Sequence, residues 1–381
     1  MTFFLAIVAT WALAHLYVGW RLWGPERVYR WALGGTLLVS FATAPTSFMV
    51  MARSGELWAD ALQGIGFVSM GGFSILWVLT VFRDLAWLAA QGFDKVVSVL
   101  PEDPERRAFL RRGLDVGVLG ASSALTAAAV VRAKMGAAVE EVEIPISDLP
   151  SDLDGFRIAQ VSDIHVGATV RRGQVQAIVD QVNALEPDLI AITGDLVDGS
   201  VEGLTPHVEP LRSLKATHGA AFCTGNHEYY SGAGPWCAKV EELGIRVLTN
   251  ASVVLEHGGS RVLLAGVPDR QGGGFLEGHH PDPVAVAEAA EPADLRVLLS
   301  HQPITATEGA RAGFDLQLSG HTHAGQYFPF TLFIRLAQRW VEGLHRVGEM
   351  WLYVNRGTTW WGPPLRLGAP QEVTLLTLRR V

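Results

Sequence analysis

The sequence predicts an all-α membrane region followed by an α/β domain, and three observations carry that reading. Long charge-free apolar stretches recur near the start of the 381-residue chain. Composition changes after Met135, and from Ile158 onward short β-rich runs alternate with helical patterns. Several of those runs end directly in a cluster of Asp, Asn or His.

The first region is read from length and charge. Residues 1–20, 31–52 and 61–82 contain no Asp, Glu, Lys or Arg. Each reaches the roughly 20 residues that a helix needs to cross a bilayer's hydrocarbon core. The first is not read as a cleaved signal peptide, because no basic residues precede it and no small-residue cleavage site comes before Arg21. Trp11, Trp20, Trp23, Trp31 and Trp58 lie in or near the ends of these stretches, where interfacial aromatic anchors collect. A fourth, shorter stretch, about 113–131, is rich in small residues and reads as a membrane helix, with a surface helix or an internal export-signal-like segment as the alternatives. The transmembrane helical region is therefore expected over 1–135.

Loop charge orients these spans. The connection Arg21–Arg30 carries three arginines, Arg53–Asp60 one, and Arg83–Arg112 six Lys+Arg. The positive-inside rule makes the first and third loops cytoplasmic. With four crossings the second domain lies on the extracytoplasmic side of the cell membrane; with three it stays in the cytoplasm. Four is the preferred count.

Whole-chain numbers exclude other classes. Residues 1–135 carry 12 Lys+Arg against 9 Asp+Glu, and the remainder 18 against 29. An acidic second half offers no basic face for nucleic acid, and bound divalent cations would offset part of its charge. The two cysteines, Cys223 and Cys237, are too few for a disulfide framework or a thiolate metal site. They read as small buried residues, with a single disulfide as the alternative.

The second region is built of apolar strands separated by helices, which argues for buried sheets. Its strand ends carry Ser162-Asp163-Ile164-His165, Gly194-Asp195, Gly225-Asn226-His227-Glu228, Ser300-His301 and Gly320-His321-Thr322-His323. Ligand-binding loops converge at strand ends in α/β domains. Carboxylate and amide oxygens with imidazole nitrogens suit Mn, Fe or Zn. In Asp163-x-His165 and His321-x-His323, alternate residues of an extended segment point the same way. The glycines before Asp195, Asn226 and His321 would permit sharp turns. Any one of these Asp or Asn residues alone is as readily a turn former.

These five blocks, in this order across about residues 156–325, resemble the calcineurin-like metallophosphoesterase family. The downstream stretch NRGTTWWGPPLRLGAPQEVTLLTL looks like the tail of a bacterial membrane-associated subgroup, extending the resemblance to about 146–381. The resemblance implies a four-layer αββα sandwich of two mixed sheets, preceded by the transmembrane helices. It implies two divalent ions, one held by Asp163, His165, Asp195 and His323, the other by Asp195, Asn226, His301 and His321, with Asp195 bridging. The nucleophile would be a water activated by both ions. His227 would stabilise charge and protonate the departing oxygen, with Glu228 orienting it. Ala324 stands where the subgroup often has glycine, and no ligand position is lost.

The implied function is metal-dependent hydrolysis of phosphomonoesters or phosphodiesters at a membrane, by phosphatase or phosphodiesterase action. The anchor suggests a lipid-linked phosphoester, and no protein partner is expected. The alternative is a membrane-tethered metal-binding or regulatory module without turnover; a sensor or transporter reading is disfavoured because His15 alone interrupts the apolar spans. Other residues keep two readings. Asp198 reads as a cap or supporting hydrogen-bonder, Arg366 as a phosphate contact or a local packing residue, His279 and His280 as a loop or a substrate entrance, and Trp360-Trp361 as ordinary packing or a lipid-facing entrance.

Overall fold

The computed structural model describes residues 2–381. Four helices come first: α1 (Thr2–Leu22), α2 (Arg27–Met49), α3 (Leu57–Asp94) and α4 (Pro104–Lys134). Among the described residues, α2, α3 and α4 are long and apolar enough to cross a membrane. The helix α2 stops at Met49, where the chain tightens into a 3-10 turn over Met51–Arg53.

Helix α3 is longer than its apolar stretch. Its 38 residues extend about 57 Å, nearly twice the roughly 30 Å of a hydrocarbon core. It passes through Arg83 and Asp84 because those charges find partners: Arg83 pairs with Asp84 and with Asp115 of α4, while Asp84 also meets Arg21 and accepts the Tyr17 hydroxyl of α1 at 2.6 Å. Paired charge can be buried where single charge cannot. Helix α4 likewise starts nine residues before the expected span. Asp103 accepts the Glu105 N–H at 2.8 Å and Pro104 occupies the first turn, so the basic run 106–112 lies inside the helix.

The rest of the chain forms two mixed six-stranded sheets. The first runs in the order β1 (Ala138–Ile146), β12 (Glu372–Arg380), β2 (Arg157–Val161), β3 (Leu189–Thr193), β4 (Ala220–Cys223) and β5 (Arg246–Val247). The second runs β10 (Gly343–Val347), β11 (Met350–Val354), β9 (Leu316–Ser319), β8 (Leu295–Leu299), β7 (Ser260–Gly266) and β6 (Ala251–His257). Period-two alternation sorts each strand between two cores. In β3, Leu189 and Ala191 enter the core between the sheets, while Ile190 and Ile192 face the outer helices α5 (Arg172–Ala184), α6 (Val201–Val208) and α8 (Ala233–Glu242), with the short α7 (Asn226–Ser231) between the last two. In β7, Val262 and Leu264 face inward, and Leu263 and Ala265 pack under α9 (Pro283–Ala289) and α10 (Ala306–Arg311). The layers are helix, sheet, sheet, helix, as the resemblance implies.

Strands β2, β3 and β4 are mutually parallel, as are β7, β8 and β9, so the loops that follow them gather at shared edges. The helices of the first region pack directly on this sandwich. The Ala129 carbonyl of α4 accepts the Arg366 N–H at 3.0 Å, Ser74 of α3 bonds the Tyr327 hydroxyl at 3.2 Å, and Asp60 pairs with Arg171. Both cysteines are unpaired; Cys223 is buried at the end of β4 and Cys237 is half-buried on α8.

Candidate metal centre

Each block stands just past a strand: Asp163 and His165 after β2, Asp195 and Asp198 after β3, Asn226 to Glu228 at the start of α7 after β4, His301 after β8, and His321 and His323 after β9. All are buried except His321, which is partly exposed. Asp163, His165, Asp195, His321 and His323 all have positive φ, between 49° and 72°. Such a conformation costs a non-glycine residue roughly 1–3 kcal/mol and persists only where its surroundings impose it. Here the Asp163 and His165 N–H groups donate to the Gly194 and Asp195 carbonyls, both at 3.0 Å, which locks the first two loops together.

The preceding glycines divide by purpose. Gly194 has φ +84°, and a Cβ there would lie 2.6 Å from the Gly225 nitrogen. Gly225 has an ordinary φ of −97°, and a Cβ there would strike the Asp195 carboxylate. Gly225 therefore supplies room rather than a turn, and Gly320 is absent from the positive-φ glycines. The left-handed backbone is carried largely by the Asp and His donors themselves.

Donor atoms converge in three overlapping groups: Asp163, His165 and His323; His165, Asp195 and His227; and Asp195, His301 and His321. The Asp195 Oδ2 lies 3.1 Å from His301 Nε2, 3.9 Å from His165 Nε2 and 4.0 Å from His227 Nε2. The Nε2 atoms of His165 and His323 are 3.1 Å apart, and His301 Nε2 is 3.3 Å from His321 Nδ1. The outward nitrogens are anchored, His301 Nδ1 to the Thr193 carbonyl at 2.8 Å and His165 Nδ1 to Asp198 at 3.2 Å, which turns the other ring nitrogen inward. The buried Asn226 Oδ1 has no hydrogen-bond partner among the described residues. An orphaned amide oxygen and facing imidazole lone pairs are costly unless a cation joins them. This donor set fits divalent metal.

Electrostatics follow the same contacts. Burial opposes charge on Asp195, but the His301 and His227 imidazoles outweigh it and hold the carboxyl well below its usual range. His301 is buried yet raised well above an ordinary histidine by Asp195. His323 is driven well down by burial and by the Arg366 guanidinium. Burial would lower His227, but Asp195 and Asp198 raise it to about 9. Glu228 is pushed up to about 8 by burial and by Asp195.

Residues around the donors take definite places. The carboxylate touching the His227 ring is Asp198, at 2.5 Å from Nδ1, and its other oxygen holds His165. Glu228, the expected orienting group, instead accepts backbone N–H groups of Gly225, Asp195 and Leu196 at 2.6, 3.0 and 2.7 Å, clasping two ligand loops together. Arg366 is 2% exposed and donates to the carbonyls of Thr359, Arg356, Gly357, His323 and Ala369, so its guanidinium organises the C-terminal loop, and it meets the His323 ring at Nδ1, 2.9 Å away. His279 bonds the Tyr229 hydroxyl at 2.7 Å, one layer behind α7. Asp269, not singled out in the sequence, is buried beyond β7 and accepts two bonds from Gln302, next to His301. Its position after a strand was the available signal.

Comparison with known proteins places these features in context. The calcineurin-like phosphoesterase family model matches residues 156–325. The chain is 36% identical over 309 residues to a Bos taurus transmembrane protein with metallophosphoesterase domain, covering 78% of this chain and 68% of that one. It is 33% identical over 306 residues to an uncharacterized metallophosphoesterase of Campylobacter jejuni, covering 78% of each. A Helicobacter pylori protein, also an uncharacterized metallophosphoesterase, is 36% identical over 301 residues, 76% of this chain and 77% of its own.

Proposed function

This chain belongs to the calcineurin-like phosphoesterase family, and from that premise we propose that it is a membrane-anchored hydrolase of phosphoesters that works with two divalent ions, Mn, Fe or Zn. One observation carries the reading: two groups of donors meet at a single carboxylate, Asp195, beside His227, whose Nδ1 is held by Asp198. Asp163, His165 and His323 would hold one ion, Asn226, His301 and His321 the other, and Asp195 both. When bound, the ions supply Lewis acidity to the phosphoryl group and acidify water.

The chain's own groups do the rest. Asp198 occupies His227 Nδ1, which leaves Nε2 as the ring's working atom. Contact with the Asp198 carboxylate favours the charged ring, and Nε2–H donates to the departing ester oxygen. Glu228 keeps the Asp195 and Asn226 loops in register through their backbone.

The helices supply the anchor. The C-terminal ends of α2 and α4 and the N-terminal half of α3, from Asp60 to Ser74, all meet the sandwich. That up-and-down arrangement supports four crossings, with the arginine-rich loops in the cytoplasm and the catalytic domain outside it. Protease accessibility of the C-terminal domain in spheroplasts tests the side.

Turnover of p-nitrophenyl phosphate and bis-p-nitrophenyl phosphate by the Mn-loaded protein tests the hydrolase. His227→Ala should cut kcat by about 10²–10⁴-fold while leaving metal content intact. Absence of turnover despite full loading would leave a metal-binding module instead.

A further inference from the structure

A wall of aromatic rings leads from His227 to the ends of the long helices. The Trp361 ring lies edge-on to His227 with centroids 5.4 Å apart, and 6.0 Å from Phe48 in the last turn of α2. Phe48 in turn meets Phe67 of α3 at 5.3 Å. Phe48 is 39% exposed, and Met49 beside it 69%. The turn between α2 and α3 reaches the catalytic loops as well: Met51 and Ser54 lie against Gly199 and Gly203, just after Asp198.

A second element points the same way. Gln326 clamps the Trp361 backbone, accepting its N–H at 2.8 Å and donating to its carbonyl at 3.0 Å. Gln326 sits between His323 and helix α11 (Phe330–Ala337), in which no residue is buried. Phe330, Leu332, Phe333 and Leu336 are 45–85% exposed there, next to the Tyr327 that bonds α3. Bare apolar side chains of that size beside membrane-length helices match a helix lying in the headgroup layer. The metal centre thus lies beside the ends of helices long enough to span a bilayer.

Resting on the hydrolase reading, we infer that the substrate is a phosphoester bearing a long hydrocarbon chain, which reaches the metal centre sideways from the bilayer with its chain against Trp361 and Phe48. A water-soluble phosphoester has no use for this wall, whereas a hydrocarbon chain drawn from the bilayer can lie along it without entering water. Water is the only co-reactant: its oxygen bonds to phosphorus, the ester P–O bond breaks with its electrons on the departing oxygen, and that oxygen takes a proton.

The test uses full-length, Mn-loaded protein in detergent micelles with two matched substrate pairs. Hexadecyl and methyl p-nitrophenyl phosphate report diester cleavage; hexadecyl and methyl phosphate report phosphate release from monoesters. The expected result is a kcat/KM for the hexadecyl member at least about tenfold above its methyl partner in the pair that turns over, and a fall of that ratio by about fivefold or more in Phe48→Ala. Metal content of the variant, measured in parallel, reports that its centre is assembled. A ratio near one overturns the inference and leaves the hydrolase standing. So does a preference that Phe48→Ala leaves intact, because that reports only partition into the micelle. No turnover of any of the four substrates removes the hydrolase reading and this inference with it.

Discussion

Two clusters of buried charge in this protein are built on opposite chemistry. Among the helices, Arg21, Arg83, Asp84 and Asp115 form a cluster in which each carboxylate meets a guanidinium. In the sandwich, Asp163, Asp195 and Asp198 meet imidazoles, and a buried amide oxygen is left without a partner. Arginine is always charged and has no lone pair to offer, so its cluster fastens helices and has nothing with which to hold a cation. A neutral histidine presents one donor and one acceptor, so its cluster keeps lone pairs facing a common point. The identity of the base, more than the depth of burial, separates a structural clamp from a cluster able to bind metal.

Substitutions sharpen this contrast, and the largest effect belongs at the shared carboxylate. Asp195→Asn should lower turnover by about 10³-fold or more, the scale of losing a central catalytic group, and reduce bound metal measured by elemental analysis. Full metal content in that variant would break the idea of a bridging ligand. In the arginine cluster, Arg83→Met should leave Asp115 and part of Asp84 uncompensated and destabilise the protein by about 3 kcal/mol, read as a lowered Tm in detergent, with turnover per folded molecule kept. A loss of metal instead would show that the two clusters are coupled. Asp198→Asn removes one acceptor shared by His165 and His227 and should cost about 10–100-fold in activity or metal affinity. The smallest effect is expected far from both. Asp103→Ala deletes the N-cap of α4 and should cost about 1 kcal/mol of stability with no change in turnover.

Legibility followed locality. Asp163, Asp195, Asn226, His301 and His321 stand where an apolar run ends, and a strand that is buried on both faces writes such a run into adjacent residues. The loops they occupy meet because the strands are parallel, a consequence of the β-α alternation itself. Arg366 reads as a phosphate ligand or as a packing residue, and what decides between them is its contact with His323, 43 positions away, which only the tertiary fold brings beside it. Glu228 sits next to His227 in sequence but points at the Asp195 loop, since the first turn of α7 carries successive side chains about 100° apart. The reach of α3 past Phe82 was hidden because the partners of Arg83 and Asp84 lie on other helices.

The sequence by itself determined the kinds of parts: apolar helices of membrane length, buried strands, and oxygen and imidazole donors at strand ends, all of which depend on neighbours within a few residues. Tertiary structure alone decided that Asp198 braces two histidines, that Glu228 binds loops together, and that the turn between α2 and α3 stands beside Trp361 and His227. Those contacts join residues between 29 and 313 positions apart, and no local pattern encodes a distance that only packing sets.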